Sequence, residues 1–266
     1  MIVRRIRLIR WNLVDIHSHV IYGVDDGART LEDSVALVRM AAESGTTDLV
    51  ATPHANPTYH YDRELLRERL TQIGEASGGA LRLHLGCDFY LSYDNIRDAI
   101  ANPTRYTINQ KNYLLVEFSD LLVFRNTGDI FARLQEAGMT PIVTHPERNA
   151  LIRQRLEDLE RWVEDGAFVQ ITAQSLLGTF GRQAREFCAT LLERRLVHFV
   201  ASDAHDIQHR PPRLDGAYAF LKKQCGESVA ETLCVTNPAA VLSGEGLGSP
   251  YPDIATEPRK WYQIWR

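Results

Sequence analysis

Asp15-Ile16-His17-Ser18-His19 closes an apolar run that begins at Leu13-Val14. Side chains two apart on a strand point to the same face, so His17 and His19 look the same way if this run is extended. Neutral imidazole is the commonest protein metal ligand, and two converging at a strand end make half a metal site. The pair alone is also compatible with two surface histidines, so the decision rests on whether further ligands arrive later in the chain. The acidic turn Asp25-Asp26-Gly27 comes next and can return a carboxylate to the same place.

The pattern then repeats. Thr30 has the character of a helix N-cap, and Asp33 falls in the first turn, where negative charge suits the helix dipole. That helix runs to Gly45, and an apolar strand, Asp48-Leu49-Val50-Ala51-Thr52, ends at Pro53-His54. A charged helix is expected over 62–76, then a strand over 81–86 ending at Cys87-Asp88. Tyr113-Leu114-Leu115-Val116-Glu117 is a strand with a carboxylate at its far end, and Pro141-Ile142-Val143-Thr144-His145 ends in histidine. Helices over 126–137, 157–164 and 182–195 alternate with strands at 168–172 and 197–201. The last strand leads into Ser202-Asp203-Ala204-His205, and a helical region over 214–242 follows Pro211-Pro212. Seven strands alternating with helices are the pattern of parallel βαβ units, which are right-handed and can close into a barrel. A doubly wound open sheet is the alternative. It wants a glycine-rich first turn, which Tyr22-Gly23-Val24-Asp25 is not, and the late run Gly244–Gly248 follows no strand and reads as a loop.

With 266 residues, 44% of them hydrophobic, the chain can bury a large core. A formal charge of −4 argues against a nucleic-acid binder driven by phosphate attraction. Cys87, Cys188, Cys225 and Cys234 show no paired CxxC spacing, against a cysteine-zinc site. Arg4, Arg5, Arg7 and Arg10 break the apolar runs before Trp11, against a signal peptide, and no segment reaches the roughly 20 apolar residues that span a bilayer. The expectation is a cytoplasmic protein with reduced thiols and no stable membrane insertion. The arginine-rich arm is read as strand-paired or frayed, with contact to an anionic membrane surface as the other reading.

His54, Asp88, Glu117, His145 and Asp203 thus join His17 and His19 at strand ends, the face where barrel enzymes place their chemistry. Singly each has an ordinary explanation: a turn residue, an ion-pair partner, a helix cap. Residues of those kinds have no reason to fall on the same end of every strand. With Asp26 and His205 the set is five histidines and four carboxylates, a donor mix for manganese, iron or zinc rather than calcium or magnesium.

These segments carry a resemblance. Asp15-Ile16-His17-Ser18-His19, Val24-Asp25-Asp26-Gly27, Ala51-Thr52-Pro53-His54, Leu115-Val116-Glu117-Phe118-Ser119, Pro141-Ile142-Val143-Thr144-His145-Pro146-Glu147-Arg148 and Ala201-Ser202-Asp203-Ala204-His205 together resemble the polymerase-and-histidinol-phosphatase (PHP) superfamily. Within it, the nearest likeness is to the metal-dependent bacterial protein-tyrosine phosphatases of capsule and exopolysaccharide operons. The resemblance implies an α/β fold, a distorted (β/α)7 TIM-like barrel over 13–245 with C-terminal helices, between an arm over 1–12 and a tail over 246–266. It implies up to three divalent ions, manganese foremost, with iron or zinc as alternatives. One would be held by His17, His19, Asp203 and a bridging Asp88. A second would take Asp88 with Glu117 and His145, and a third Asp26, His54 and His205. The bridging position is usually glutamate, and Asp88 is one methylene, about 1.5 Å, shorter, so a backbone shift or a weaker second ion is expected.

The implied reaction is hydrolysis of phosphotyrosine by a water that the ions activate. Arg148 and Arg210 are given the task of meeting the phosphate oxygens, which guanidinium forks suit better than lysine does. Without the flanking ligands both would read as surface ion-pair residues. A phenol leaves with a pKa of about 10 and needs little help from an acid; Asp206 and His209 are the candidates for donating a proton through water. The implied partner is a bacterial tyrosine kinase of polysaccharide export. Two other functions compete: a small-molecule phosphoesterase of the same superfamily (a histidinol-phosphatase or nucleotide hydrolase), and a catalytically silent regulatory domain. The Cys188-x5-Arg194 spacing of cysteine-dependent phosphatases is set aside, because the residues between them form an amphipathic helix without glycine. Trp261, Tyr262 and Trp265 form either a contact patch or a tail folded onto the barrel.

Overall fold

The computed structural model describes residues 11–247. Most of the N-terminal arm, and the tail from 248 with Trp261, Tyr262 and Trp265, lie outside the described residues. Nine strands run in chain order: β1 (Leu13–Ser18), β2 (Thr46–Ala51), β3 (His54–Ala55), β4 (Arg82–Leu85), β5 (Asp88–Tyr90), β6 (Tyr113–Glu117), β7 (Thr140–Thr144), β8 (Phe168–Thr172) and β9 (Phe199–Ala201). Every strand pair is parallel. β1 and β6 to β9 are buried along almost their whole length, as expected when helices cover a parallel sheet.

The expected seven runs are present, but two are broken, and the ladders form two sheets, β1-β2-β4 and β3-β5-β6-β7-β8-β9, rather than one continuous ring. The second run breaks at Thr52-Pro53, where proline has no N–H to give a ladder. The third breaks at Gly86-Cys87; a Cβ on Gly86 would lie 2.9 Å from Ile108 and 3.2 Å from Val50, so the chain there passes too close to its neighbours for a side chain. Each broken run starts in one sheet and resumes in the other. At the opposite side β1 and the end of β9 meet through one bridge, Ser18 with Ala204. The N–H of Asp203 donates to His17 O at 2.9 Å, and that of His19 to Ala204 O at 2.8 Å.

The first helix, Leu31–Glu43, begins as read: Thr30 Oγ1 accepts from the Asp33 N–H and Asp33 reaches back to the Thr30 N–H, a reciprocal cap. Asp62 caps the helix Arg63–Ala76. A helix at Tyr93–Ala101, capped by Ser92, has no counterpart in the sequence reading. The expected last helical region is three pieces, Asp215–Gln224, Glu227–Glu231 and Asn237–Ser243, the last two joined by a π-type turn. Strands of both sheets share an apolar cluster that includes Val14, Ile16, Val50, Leu115, Ile142, Phe199 and Ala201. Most of these lie one to three residues before a histidine or carboxylate of the site. A packed interior thus supports the strand ends that carry the polar groups. Among the described residues no helix is long and apolar enough to cross a membrane.

Candidate metal centre

The polar side chains gather where the strands end or break. His17 is the penultimate residue of β1, Glu117 the last of β6, and His145 follows β7 directly. His54 and Asp88 open the short strands β3 and β5, immediately after the two breaks, and pair with each other in register. Asp203 lies two residues past β9. His145 (φ 34°) and Asp203 (φ 52°) adopt left-handed backbone, a strained state for residues other than glycine. Their N–H groups hold them there, donating to Gln170 O at 2.8 Å and His17 O at 2.9 Å.

All nine expected ligands come together, in overlapping groups whose donor atoms lie within 4.8 Å of one another. These groups are His17, His19 and Asp88; His17, His145 and Asp203; His54, Asp88 and Glu117; and His19, Asp26, His54 and His205. These are groups of distance alone, and they overlap differently from the sets the resemblance implies; His19, for one, also joins Asp26, His54 and His205. His145 sits with His17 and Asp203 rather than with Asp88 and Glu117, and His54 serves both carboxylate clusters. Its Nε2 is 3.4 Å from Asp26, and its Nδ1 is 3.3 Å from Asp88 and 3.4 Å from Glu117.

Partners outside these groups set which imidazole nitrogen faces inward. His17 Nδ1 lies 2.9 Å from Gln170 Oε1, and His19 Nδ1 lies 2.8 Å from Asp25 Oδ2. His205 Nδ1 donates to the Asp203 carbonyl at 3.0 Å. Acceptors at Nδ1 leave each Nε2 with its lone pair inward, and carboxylate or carbonyl partners of this kind are what fix metal-bound histidines. Asp25 also accepts from the N–H of His54 at 3.2 Å and of Gly27 at 3.0 Å, so it is spent on orientation and Asp26 is left to face the cluster. Asp15 Oδ1 accepts from the Ser202 N–H at 3.0 Å and so ties β1 to the Asp203 segment. The sequence reading missed Gln170, Asp25 and Asp15 in these roles. Asp25 carried a signal, its place beside Asp26, whereas Gln170 lies mid-strand and carried none.

Two observations test whether a cation suits this place. Both carboxylate oxygens of the buried Asp88 lack a hydrogen-bond partner. The Nε2 atoms of His17 and His19 lie 3.3 Å apart, and with both Nδ1 atoms beside acceptors the neutral rings turn their Nε2 lone pairs to the same place. A buried anion is costly unless paired, and facing lone pairs repel, so the donor set fits a divalent ion of borderline hardness. Burial opposes charge throughout, and the neighbours decide the outcome. His17 and His54 outweigh it at Asp88 and hold that carboxyl well below its usual range. Burial and the adjacent Asp88 push Glu117 up. Burial brings His145 down to about 3 and His205 down to about 4, leaving neutral imidazoles fit to ligate. His19 is raised to about 9, because Asp25 overcomes its burial, so a cation at its Nε2 would take the place of a proton.

Asp203 divides the site. Its Oδ1 is 3.4 Å from His17 and 3.5 Å from His19, while its Oδ2 takes hydrogen bonds from both Arg148 and Arg210. Arg148 arrives on the turn that its N–H closes onto His145 O at 2.9 Å. Arg210 arrives because its carbonyl accepts from the His205 N–H at 2.9 Å, folding 205–210 back on itself. The two proton-donor candidates line a groove with Asp26 and His205. Asp206 Oδ1 accepts from the Gln208 and His209 N–H groups, and the His209 side chain is exposed. Cys188 is buried in the helix Arg182–Glu193 with its thiol pushed well up by burial, and Arg194 pairs with Glu160 at 2.8 Å, so no cysteine nucleophile forms there.

The acidic turn depends on one glycine. A Cβ on Gly27 would lie 2.1 Å from His19 O and 2.6 Å from His19 Cβ. Gly27→Ala is expected to cost about 1–3 kcal/mol of stability. It should also displace Asp25 and Asp26, and a lower melting temperature with less bound metal by elemental analysis checks both effects.

The capsular polysaccharide synthesis (CpsB/CapC) family description matches residues 13–243. The chain is 34% identical over 256 residues to CapC of Staphylococcus aureus, covering 95% of this chain and 100% of that protein. It is 35% identical over 221 residues to the tyrosine-protein phosphatase YwqE of Bacillus subtilis, covering 82% of this chain and 87% of that one. Among solved structures, one from the work on YwqE of Bacillus subtilis and CpsB of Streptococcus pneumoniae, described as metal-dependent tyrosine phosphatases, superposes with a TM-score of 0.82 at 32% identity, covering 89% of this chain and 96% of that one. A match over nearly all the described residues, together with relatives above 30% identity along most of both chains, makes this chain a member of the CpsB/CapC capsular polysaccharide synthesis family.

Proposed function

We propose that the chain is a metal-dependent protein-tyrosine phosphatase that acts on a bacterial tyrosine kinase of capsular polysaccharide synthesis. The observation that carries the reading is Asp203, with one oxygen toward the histidine cluster and the other toward two guanidiniums. This supports a cation site and a phosphate-binding pair side by side. The relatives named tyrosine-protein phosphatase support the substrate class.

His17, His19, Asp88 and Asp203, with Glu117, His145, Asp26, His54 and His205, would hold up to three divalent ions, manganese foremost, with iron or zinc as alternatives. When bound, such ions polarise a phosphate ester and make water a nucleophile near neutral pH. The chain's own residues do the rest. Gln170 and Asp25 hold the imidazole lone pairs inward. Arg148 and Arg210 bind the phosphate oxygens and meet the charge that grows on them as the ester bond breaks. A phenolate needs less help in leaving than a serine alkoxide does, so the reaction does not depend on a dedicated proton donor. The cluster borders a groove of about 440 Å³, lined by Asp26, Arg29, Asp33, Ile207 and His209 among others, with room for the residues flanking a phosphotyrosine. In the finer reading of the fold, the seven strand runs surround the apolar cluster as a distorted barrel spanning 13–245.

The test is turnover on a phosphotyrosyl peptide, histidinol phosphate and a nucleotide, each with manganese and with chelator. Hydrolysis of the phosphotyrosyl peptide at least about tenfold faster in kcat/KM than the others, lost on chelation and restored by manganese, is expected. Activity that survives full removal of metal, or a preference for histidinol phosphate, overturns the reading.

A further inference from the structure

Phe180 lies between the helices Ala173–Leu177 and Arg182–Glu193, in the loop that follows β8, next to two glycines with left-handed backbone, Gly178 (φ 93°) and Gly181 (φ 89°). Its ring faces both phosphate-binding candidates: the Arg148 guanidinium carbon is 4.7 Å from the ring centroid and that of Arg210 is 6.0 Å away. The two arginines come from the loops after β7 and β9, so three successive loops converge here. Both guanidiniums also reach the same oxygen of Asp203, and Arg210 Nε is buried without a partner. Asp203 is the carboxylate that both guanidiniums hydrogen-bond, Glu147 and Asp88 add attraction to Arg148 from farther off, and the two like charges repel each other. The negative face of an aromatic ring supplies further attraction without competing for the N–H donors.

We propose that Phe180 is a positioning residue for phosphate recognition, its ring holding Arg148 and Arg210 side by side against Asp203 so that their donors meet a phosphate monoester already ordered. The proposal rests on the reading of those two arginines as phosphate ligands. Without the ring, two long side chains must be ordered at the moment of binding, which weakens ground-state and transition-state binding alike and so raises KM more than it lowers kcat.

The experiment compares Phe180→Leu and Phe180→Met, which remove the ring, with Phe180→Tyr, which keeps it, all in manganese-loaded full-length protein. Loss of the ring is expected to raise KM for a phosphotyrosyl peptide and the inhibition constant of inorganic phosphate about tenfold, with kcat within about threefold. Phe180→Tyr should stay within about twofold of the parent, with metal content and melting temperature unchanged in all three. Parent-like constants in Phe180→Leu and Phe180→Met overturn the proposal. So does a tyrosine variant as impaired as the other two, or a loss that only follows a fall in melting temperature. Calorimetric binding of inorganic phosphate to the same proteins reads the effect without turnover. A parent that binds phosphate but does not hydrolyse phosphotyrosine therefore removes the phosphatase reading and leaves this one standing or falling on its own data.

Discussion

Asp88→Ala is expected to lower kcat/KM on phosphotyrosine by about a thousandfold, equivalent to roughly 4 kcal/mol of transition-state stabilisation. Asp88 belongs to two of the four donor groups, is fully buried, and has both oxygens without a hydrogen-bond partner. Its removal would take a candidate ligand from two donor groups at once and the neighbouring carboxylate from His17 at 3.5 Å and His54 at 3.3 Å. Metal content per chain should fall alongside activity. Asp88→Glu, which lengthens the arm by about 1.5 Å, is expected to retain activity within about tenfold, because the charge survives and only the reach changes. Full activity in Asp88→Ala with unchanged metal stoichiometry would remove Asp88 from the proposed centre.

Arg148→Ala and Arg210→Ala are each expected to reduce kcat/KM by about a hundred- to a thousandfold, the usual cost of losing one donor to developing charge. Both side chains hydrogen-bond Asp203 Oδ2, so the double variant should lose less than the product of the single losses. Lysine at either position restores charge but not the planar fork, and only partial recovery is expected. Metal content should hold in both alanine variants, which separates loss of phosphate binding from collapse of the ion cluster. An alanine variant with parent kinetics would place that arginine outside the reaction.

Much of the site was legible because its signals are local. His17-Ser18-His19 and Asp203-Ala204-His205 at strand ends, and Asp25-Asp26-Gly27 in a turn, each pack two chemically distinctive residues into three positions. Glu117 and His145 could be read from the apolar runs that precede them. The helix cap at Thr30 was legible for the same reason, since a cap is a matter of three or four neighbours. Other features were not legible. Gln170 sits inside an unremarkable strand, and only the packing of β8 beside β7 and the approach of β1 bring its amide to His17. Phe180 reads as an ordinary loop aromatic, thirty or more residues from either arginine it touches. The breaks at Pro53 and Gly86 were visible as residues but not as the points where the chain passes between two sheets.

The amino-acid order by itself determined the succession of parallel strands, the end of each strand where chemistry gathers, and the nine candidate ligands, because periodicity and residue type act over a few positions. The tertiary structure alone decided which of those candidate ligands lie within reach of one another. It moved His145 to His17 and Asp203 and set His54 between two carboxylate clusters. It also decided which acceptors lie beside each Nδ1 and which ring lies against the arginines. Most such pairings depend on Å-scale distances between segments about thirty or more residues apart, set by how the sheets splice and the loops fold back, and no local pattern encodes them.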